Sequence, residues 1–240
     1  MNRAMNRISW LLPAAALAAM GGCVITEPSE SRTFSQAGFD SIDASGGVNL
    51  VLKQGPYSVR AEGPKSKLDK LVIAQDGTTL SIHREPMMNW FSVNVSDRDI
   101  VTITAPTYTR IEATGGVDIE TTSLRLPVLA IKVSGGADID ATGFNVDQLT
   151  VDSSGGGDVN LAGACKSVTI DASGGSDFAG ENFACESATV TASGGADVDV
   201  RASLNASGRA SSGADIRFLG NPASFTSDHD SGGEVELRAP

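Results

Sequence analysis

The chain has 240 residues, of which 27 are glycine, 40% are apolar and only 5% are aromatic. Glycine at this level without a Gly-X-Y period is not typical of collagen, and the regular Val, Ile and Leu between the glycines argue against disorder. The formal net charge is −11 and no cluster of Lys or Arg offsets it, which argues against nucleic acid as a partner. We expect an acidic protein with a thin apolar core and many tight turns, which attracts cations or basic surfaces.

Residues 1–22 have the three parts of a secretory signal peptide. Arg3 and Arg7 precede an apolar run from Ile8 to Met20, and the small pair Gly21-Gly22 follows it. The run is shorter than the roughly 20 residues that a membrane-spanning helix needs. The segment from Leu17 to Cys23 resembles the lipobox of bacterial lipoproteins, in which the leader is cut just before a cysteine that carries diacylglycerol.

Lipid on Cys23 would hold the protein to a membrane. The next residue is Val24 rather than Asp, which favours the outer membrane by analogy with enteric lipoproteins. The alternative is cleavage after the triplet Ala16-Leu17-Ala18, which leaves a soluble protein with a free cysteine. Residues 23–33 contain Pro, Ser and Glu and are predicted to form a flexible tether. We therefore expect an exported, lipid-anchored protein in the periplasm or on the cell surface.

Residues 34–105 are predicted to form the first coils of a repetitive fold together with a capping elaboration. A first repeat-like segment runs from Ile42 to Leu50 and contains Gly46-Gly47. The segment from Leu71 to Ile82 alternates apolar and polar residues around Asp76-Gly77, which indicates a β-hairpin. Because the ends of repetitive β folds must hide their open strand edges, we assign a capping role to this less regular region.

Residues 106–240 repeat one nine-residue motif, which runs apolar, polar, apolar, small, Gly, Gly, variable, Asp, apolar. The repeated aspartates are 20, 20, 19, 20 and 18 residues apart, and a last copy near Gly232-Gly233 lacks the aspartate. Alternate apolar residues such as Ile111 and Ala113 should point inward and Glu112 outward. The glycine pair allows positive φ at a corner, and an isolated coil cannot bury its apolar face. The sequence thus predicts an all-β parallel β-helix, or β-solenoid, with about 20 residues per coil, rather than a sandwich of meandering strands.

Cys165 and Cys185 occupy the same place in consecutive repeats. Adjacent coils of a solenoid lie about 4.8 Å apart, which falls within the roughly 4.4–6.8 Å between Cα atoms that a disulfide requires. An exported compartment would oxidise such a pair. We predict a disulfide between them, with two buried thiols as the alternative.

The segment from Phe39 to Leu50 resembles the start of the autotransporter adhesins with a head GIN domain, a bacterial family of unknown function. Gly47-Val48-Asn49 stands where the family has Gly-Ile-Asn, and Lys53-Gln54-Gly55, the Asp76-Gly77 hairpin and the Gly-Gly repeats also match. The resemblance covers about residues 34–240. It implies a β-helical, non-enzymatic, adhesin-like protein.

The motif aspartates form the main candidate site. They are Asp118, Asp138, Asp158, Asp177, Asp197 and Asp215. Stacked at about 5 Å, like charges repel one another, and a bound Ca²⁺ would offset this because it accepts several carboxylate oxygens. The favoured alternative is that each aspartate caps backbone N–H groups of its own corner as an Asx turn. No other cofactor is expected.

The sequence does not predict an enzyme. It has no Gly-x-Ser-x-Gly motif, phosphate loop or Cys/His cluster, and His83 and His229 lack metal-ligand spacing. A catalytic site needs one special position with unequal environments, whereas these acids repeat uniformly. We predict a lipid-anchored envelope protein with an adhesin-like or structural role, which binds a glycan, an envelope polymer or another protein. A β-helical polysaccharide-active enzyme and a Ca²⁺-stabilised envelope scaffold without external ligand stay open.

Overall fold

The computed structural model describes residues 27–85 and 99–239. The predicted signal peptide (1–22), Cys23 and the first part of the tether lie outside the described residues. The first part of the described chain contains β1 (Ser29–Phe34), β2 (Ser41–Ser45), β3 (Asn49–Gln54), β4 (Ser58–Pro64), α1 (Lys65–Leu68), β5 (Leu71–Asp76) and β6 (Thr79–Arg84). The rest contains β7 (Ile100–Ala105), β8 (Arg110–Thr114), β9 (Asp118–Thr122), β10 (Arg125–Gly135), β11 (Asp138–Gly155), β12 (Asp158–Gly174), β13 (Asp177–Ser193), β14 (Asp197–Ser211), β15 (Asp215–Leu219), β16 (Ser224–His229) and β17 (Glu234–Arg238).

The strands form a β-solenoid with roughly 20 residues per coil, as the spacing of the repeats predicts. Each regular coil has three faces, which β11 illustrates because its alternation of buried and exposed residues breaks after Ala141 and after Val146. The first face comprises residues 138–141 and their equivalents, the second face residues 144–146, and the third face residues 148–155. Neighbouring coils pair in parallel and in register on these faces.

The core consists of stacked apolar side chains from the inward positions of all three faces. Ile111 and Ala113 are buried and Glu112 points outward, which confirms the predicted alternation. Along one row, Ile111, Ile131 and Val151 lie opposite one another in consecutive coils. Each residue therefore packs mainly against its own equivalents above and below, so that small side chains suffice for a continuous core.

Coils in the first third of the chain do not stack in chain order. β2 pairs with β6 on one side and with β8 on the other, and β3 lies in the same way between β7 and β9. The chain therefore runs outward through β4 to β7 after its first coil, and then returns past that coil to begin the regular array.

The N-terminal end of the solenoid is closed by antiparallel strands. β1 and β4 pair outside β7 on the first face, and the hairpin of β5 and β6 covers β2 on the third face. This hairpin turns at Asp76-Gly77, as predicted. The carboxylate of Asp99, which is only 2% exposed, pairs with the Arg84 guanidinium at 2.6 Å and so joins β6 to the start of β7.

Part of the predicted tether is wrong. Residues 29–33 lie in β1, whose backbone pairs with β4 along its whole length. The guanidinium of Arg32 donates to the backbone carbonyl of Leu68 at 2.9 Å and to the carboxylate of Asp69. Polar composition indicated a free segment, but unpaired backbone groups at the edge of β4 offer this segment regular partners.

Glycine at the corners has unequal roles within a pair. Gly174 has φ of +83°, and a Cβ atom there would lie 2.8 Å from the carbonyl oxygen of Gly155 in the neighbouring coil. Gly175 has no positive φ, and its nearest contact would be 3.8 Å away. At this corner the first glycine alone has the left-handed conformation, and it is also the residue at which the two coils approach most closely.

The predicted disulfide is confirmed. Cys165 and Cys185 lie opposite each other in the pairing of β12 with β13, and their Cα atoms are 4.4 Å apart. Both residues lie on the second face, where they link consecutive coils. Among the described residues, no helix is long and apolar enough to cross a membrane.

Candidate binding face

The motif aspartates form one unbroken column on the first face, which we call the acidic column. Its members are Asp118, Asp138, Asp158, Asp177, Asp197 and Asp215. Each lies opposite the next in parallel register, and strands in such a sheet are about 4.8 Å apart. Asn49 continues the column at one end and Glu234 at the other. The structure thus brings all six predicted residues together on one surface.

The Asx-turn interpretation of the column is wrong for the described structure, in which these carboxylates accept no hydrogen bond from their own corners. The reason is that neighbouring coils already use the corner N–H groups. The N–H of Asp138 donates to the carbonyl of Val117 at 2.8 Å, and the N–H of Gly156 donates to that of Gly135 at 2.7 Å. The carboxylates are left to solvent and to ligands.

Repulsion within the column affects its central member most clearly. The pKa of Asp177 is raised above its ordinary value of 3.8, first by burial and then by the negative charges of Asp158 and Asp197. The repulsive part of this shift comes from the stacking, because each coil adds an acid at the same position. A cation that approached this face would relieve the repulsion.

A second column, two residues further along the first face, is partly paired. The side-chain amide of Asn160 donates to the Asp140 carboxylate at 3.1 Å. Arg217 donates two hydrogen bonds to Asp199, one of them at 2.7 Å. Among the described residues, none of the six aspartates of the acidic column has a salt bridge, whereas Asp199 of the second column pairs with Arg217.

Two adjoining grooves follow the column. One has a volume of about 240 Å³ and is lined by residues that include Asn49, Ile119 and Asp140. The other has a volume of about 370 Å³ and extends past Asp158 to Asp177. Because both are lined by Asp138 and Asp140, they form one continuous surface across several coils.

The described residues contain no group of three or more His, Cys, Asp or Glu side chains that could hold a metal ion. The aspartates of the acidic column stand in a line, one per coil, whereas Ca²⁺ takes about 6–8 oxygen ligands around a single point. Calcium binding by the column stays a prediction.

A further groove on the second face was missed by the sequence analysis. It has a volume of about 510 Å³ and is lined by Arg125, Pro127, Asp147, Lys166 and Glu186, beside the disulfide. Lys166 pairs with Asp147 of the preceding coil at 2.9 Å. These residues come from different coils and carry no repeated motif, so no sequence signal identified them.

The fold and the acidic column define a class of protein: a β-solenoid that presents a regularly repeated polar face. Residues 38–222 match the family described as "Putative auto-transporter adhesin, head GIN domain", and the chain belongs to this family. No curated protein matches the chain.

Solved structures share this fold. A putative adhesin from Bacteroides fragilis superposes with a TM-score of 0.80 at 20% identity, over 88% of this chain and 97% of the other. A putative lipid binding protein from Parabacteroides distasonis has a TM-score of 0.63 at 12% identity, and the superposition covers 88% of this chain and 96% of the other. A putative adhesin from the same organism has a TM-score of 0.63 and 17% sequence identity, and the superposition covers 89% of this chain and 98% of the other. At sequence identities of 12–20%, the structural likeness establishes the fold alone.

Proposed function

We propose that this protein is a lipid-anchored, non-enzymatic binding protein of the bacterial cell envelope, with an adhesin-like role and the acidic column as its binding face. The observation that carries the proposal is the column itself. Six aspartates stand in continuous register beside two adjoining grooves, and none of them has a salt bridge within the described residues. The family description and the solved structures named as adhesins support a binding role.

The column fits an extended envelope polymer that carries regularly spaced amino groups. A single exposed ion pair contributes only about 0.2–1 kcal/mol. Several equivalent pairs along one polymer add to an appreciable affinity, because each further contact forms at high effective concentration. Binding of this kind needs repetition and exposure rather than one deep pocket.

The lipid on Cys23 would lie at the closed end of the solenoid. Glu27 accepts hydrogen bonds from the backbone N–H and the hydroxyl of Ser66, at the start of α1. Cys23 lies only four positions before Glu27 in the sequence, and an extended chain spans at most about 3.3–3.6 Å per residue. The capped end would therefore face the membrane, and the acidic column would extend away from it.

Calorimetric titration with a chitosan oligosaccharide, a polymer of glucosamine with free amino groups, tests the binding face. The double variant Asp138→Asn/Asp158→Asn should bind roughly tenfold more weakly, because two ion pairs of about 0.7 kcal/mol each are lost. The matched control is Asp152→Asn/Asp171→Asn, since these exposed aspartates lie opposite each other on the third face. Absence of binding by the native protein, or an equal loss in both variants, would overturn the proposal.

A further inference from the structure

The two ends of the solenoid differ. The N-terminal end is covered by the antiparallel pairs β1 with β4 and β5 with β6, and its outer strands β1 and β5 expose no large apolar side chain. At the other end, β17 pairs only with β15 and β16 only with β14 among the described residues. The outer edges of β16 and β17 thus present unpaired backbone N–H and C=O groups.

The open end also exposes residues that occupy core positions. Leu237 is 40% exposed and Phe225 is 36% exposed, whereas the inward residues of the preceding coil, such as Ile216, are fully buried. The Phe225 ring packs edge-on against Phe218, with 5.8 Å between ring centroids, and leaves its outer side uncovered. An open strand edge beside apolar side chains is a template for pairing with another chain.

We propose that this end binds a second copy of the same chain, with β17 antiparallel to β17 of the second copy. Among the described residues, the outer strands of the other end, β1 and β5, also have an unpaired edge but expose no large apolar side chain, so stacking of one copy's tail on another copy's head would leave Phe225 and Leu237 without an apolar partner. A contact between two open ends is isologous and closes with two-fold symmetry. The result is a dimer of two solenoids joined end to end.

Charge complementarity selects the register. With Leu237 opposite Leu237 of the second copy, Glu236 lies opposite Arg238 of the second copy, and this pair occurs twice. Within one chain the Arg238 guanidinium already donates to Glu236 at 2.9 Å, so both groups stand on the outward side of β17. A register centred on Glu236 would place two carboxylates directly opposite each other, which is destabilising.

The dimer contact goes beyond the proposed function because it uses the end of the solenoid rather than the acidic column. Its consequence for anchoring rests on the proposed lipid at Cys23. If both copies are anchored there, the two anchors lie at opposite ends of the dimer, and the dimer would link two membranes. This arrangement would make the adhesion homophilic.

Sedimentation velocity on the full chain with Cys23→Ser tests the contact without lipid or polymer. At about 100 µM, far above a micromolar Kd, we expect a dimer. Leu237→Glu should raise the dimer Kd at least about tenfold, because it places two carboxylates at the symmetry axis. The control is Val128→Glu, since Val128 is 51% exposed but lies in β10, several coils away from the open edge. A monomeric native chain, or equal weakening in both variants, would overturn the proposal.

Thiol cross-linking covers the case in which Leu237→Glu disturbs folding. In the same Cys23→Ser chain, Leu237→Cys should form a disulfide-linked dimer on mild oxidation, because directly opposite Cβ atoms lie about 4.5–5.5 Å apart. Val128→Cys should stay monomeric. Equal cross-linking of both variants would indicate random collision and would contradict the contact.

Discussion

Asp177 shows how a repeated fold acts on a single side chain. Its carboxylate lies between Asp158 and Asp197, and burial together with these charges raises its pKa above 3.8. The folded protein therefore binds a proton at this site more readily than the unfolded chain does. It follows that this residue lowers the free energy of unfolding at neutral pH, and that the loss is recovered as the pH falls through the raised pKa.

Replacement of Asp177 by Asn should raise the free energy of unfolding at pH 7 by less than about 1 kcal/mol, because exposed charges are screened by solvent. The gain should shrink as the pH falls towards 3.8, where the native carboxyl also becomes neutral. Thermal unfolding at several pH values measures both effects, with Asp230→Asn as the control outside the column. A gain that does not depend on pH would contradict the electrostatic explanation.

Calcium binding by the column can be tested by comparing the native protein with Asp177→Asn. If the column holds Ca²⁺, addition of the ion should raise the Tm of the native protein more than that of Asp177→Asn, and a chelator should reverse the increase. Identical responses of the two proteins would show that the column does not bind the ion.

At the scale of the element, the corner between the third and first faces controls how closely coils approach. At this corner Gly174 combines φ of +83° with a neighbouring backbone oxygen 2.8 Å from the position of a Cβ atom. Its partner Gly175 has no positive φ, and a Cβ atom there would make only an ordinary contact at 3.8 Å. The repeated motif contains both glycines, and only the backbone geometry separates their roles.

The substitution Gly174→Ala should lower the free energy of unfolding by about 1–3 kcal/mol, since it combines left-handed strain with a backbone clash. The neighbouring substitution Gly175→Ala should change it by less than about 1 kcal/mol. Urea denaturation of the two variants measures the difference. Equal destabilisation by the two substitutions would contradict the explanation from the different backbone geometries of Gly174 and Gly175.

At the scale of the whole molecule, the closed end, the acidic column and the open end divide the proposed roles among different surfaces. The closed end is near the proposed anchor, the column follows the first face, and the open end lies at the opposite end of the solenoid from the anchor. Orientation relative to the membrane therefore decides which surface a partner meets.

Cell fractionation tests the anchor. Cys23→Ser should move the protein from the membrane fraction to the soluble fraction, because the acyl chains that hold it are lost. The variant Cys165→Ser/Cys185→Ser should remain in the membrane fraction, since its cysteines form the disulfide instead. Membrane association of Cys23→Ser would contradict lipid attachment at this residue. Protease treatment of intact and lysed cells then shows whether the solenoid faces the exterior or the periplasm.

The sequence by itself determined the features that depend on local periodicity. Alternation predicted the inward and outward residues, and the 20-residue period predicted the solenoid and the acidic column. The equivalent places of Cys165 and Cys185 predicted the disulfide. Register in a stacked fold follows directly from sequence spacing, because each coil pairs with the next along its whole length.

Only the tertiary structure decided how the irregular first third is arranged. Ile42 pairs with Ile111 across 69 residues, and no period in the sequence indicates that the coil of β2 and β3 is enclosed between later ones. The antiparallel closure at β1, the groove beside the disulfide and the open edge at β17 were also decided there. Each depends on which strand edges remain after the coils have stacked, and this is a property of the assembled fold rather than of any local segment.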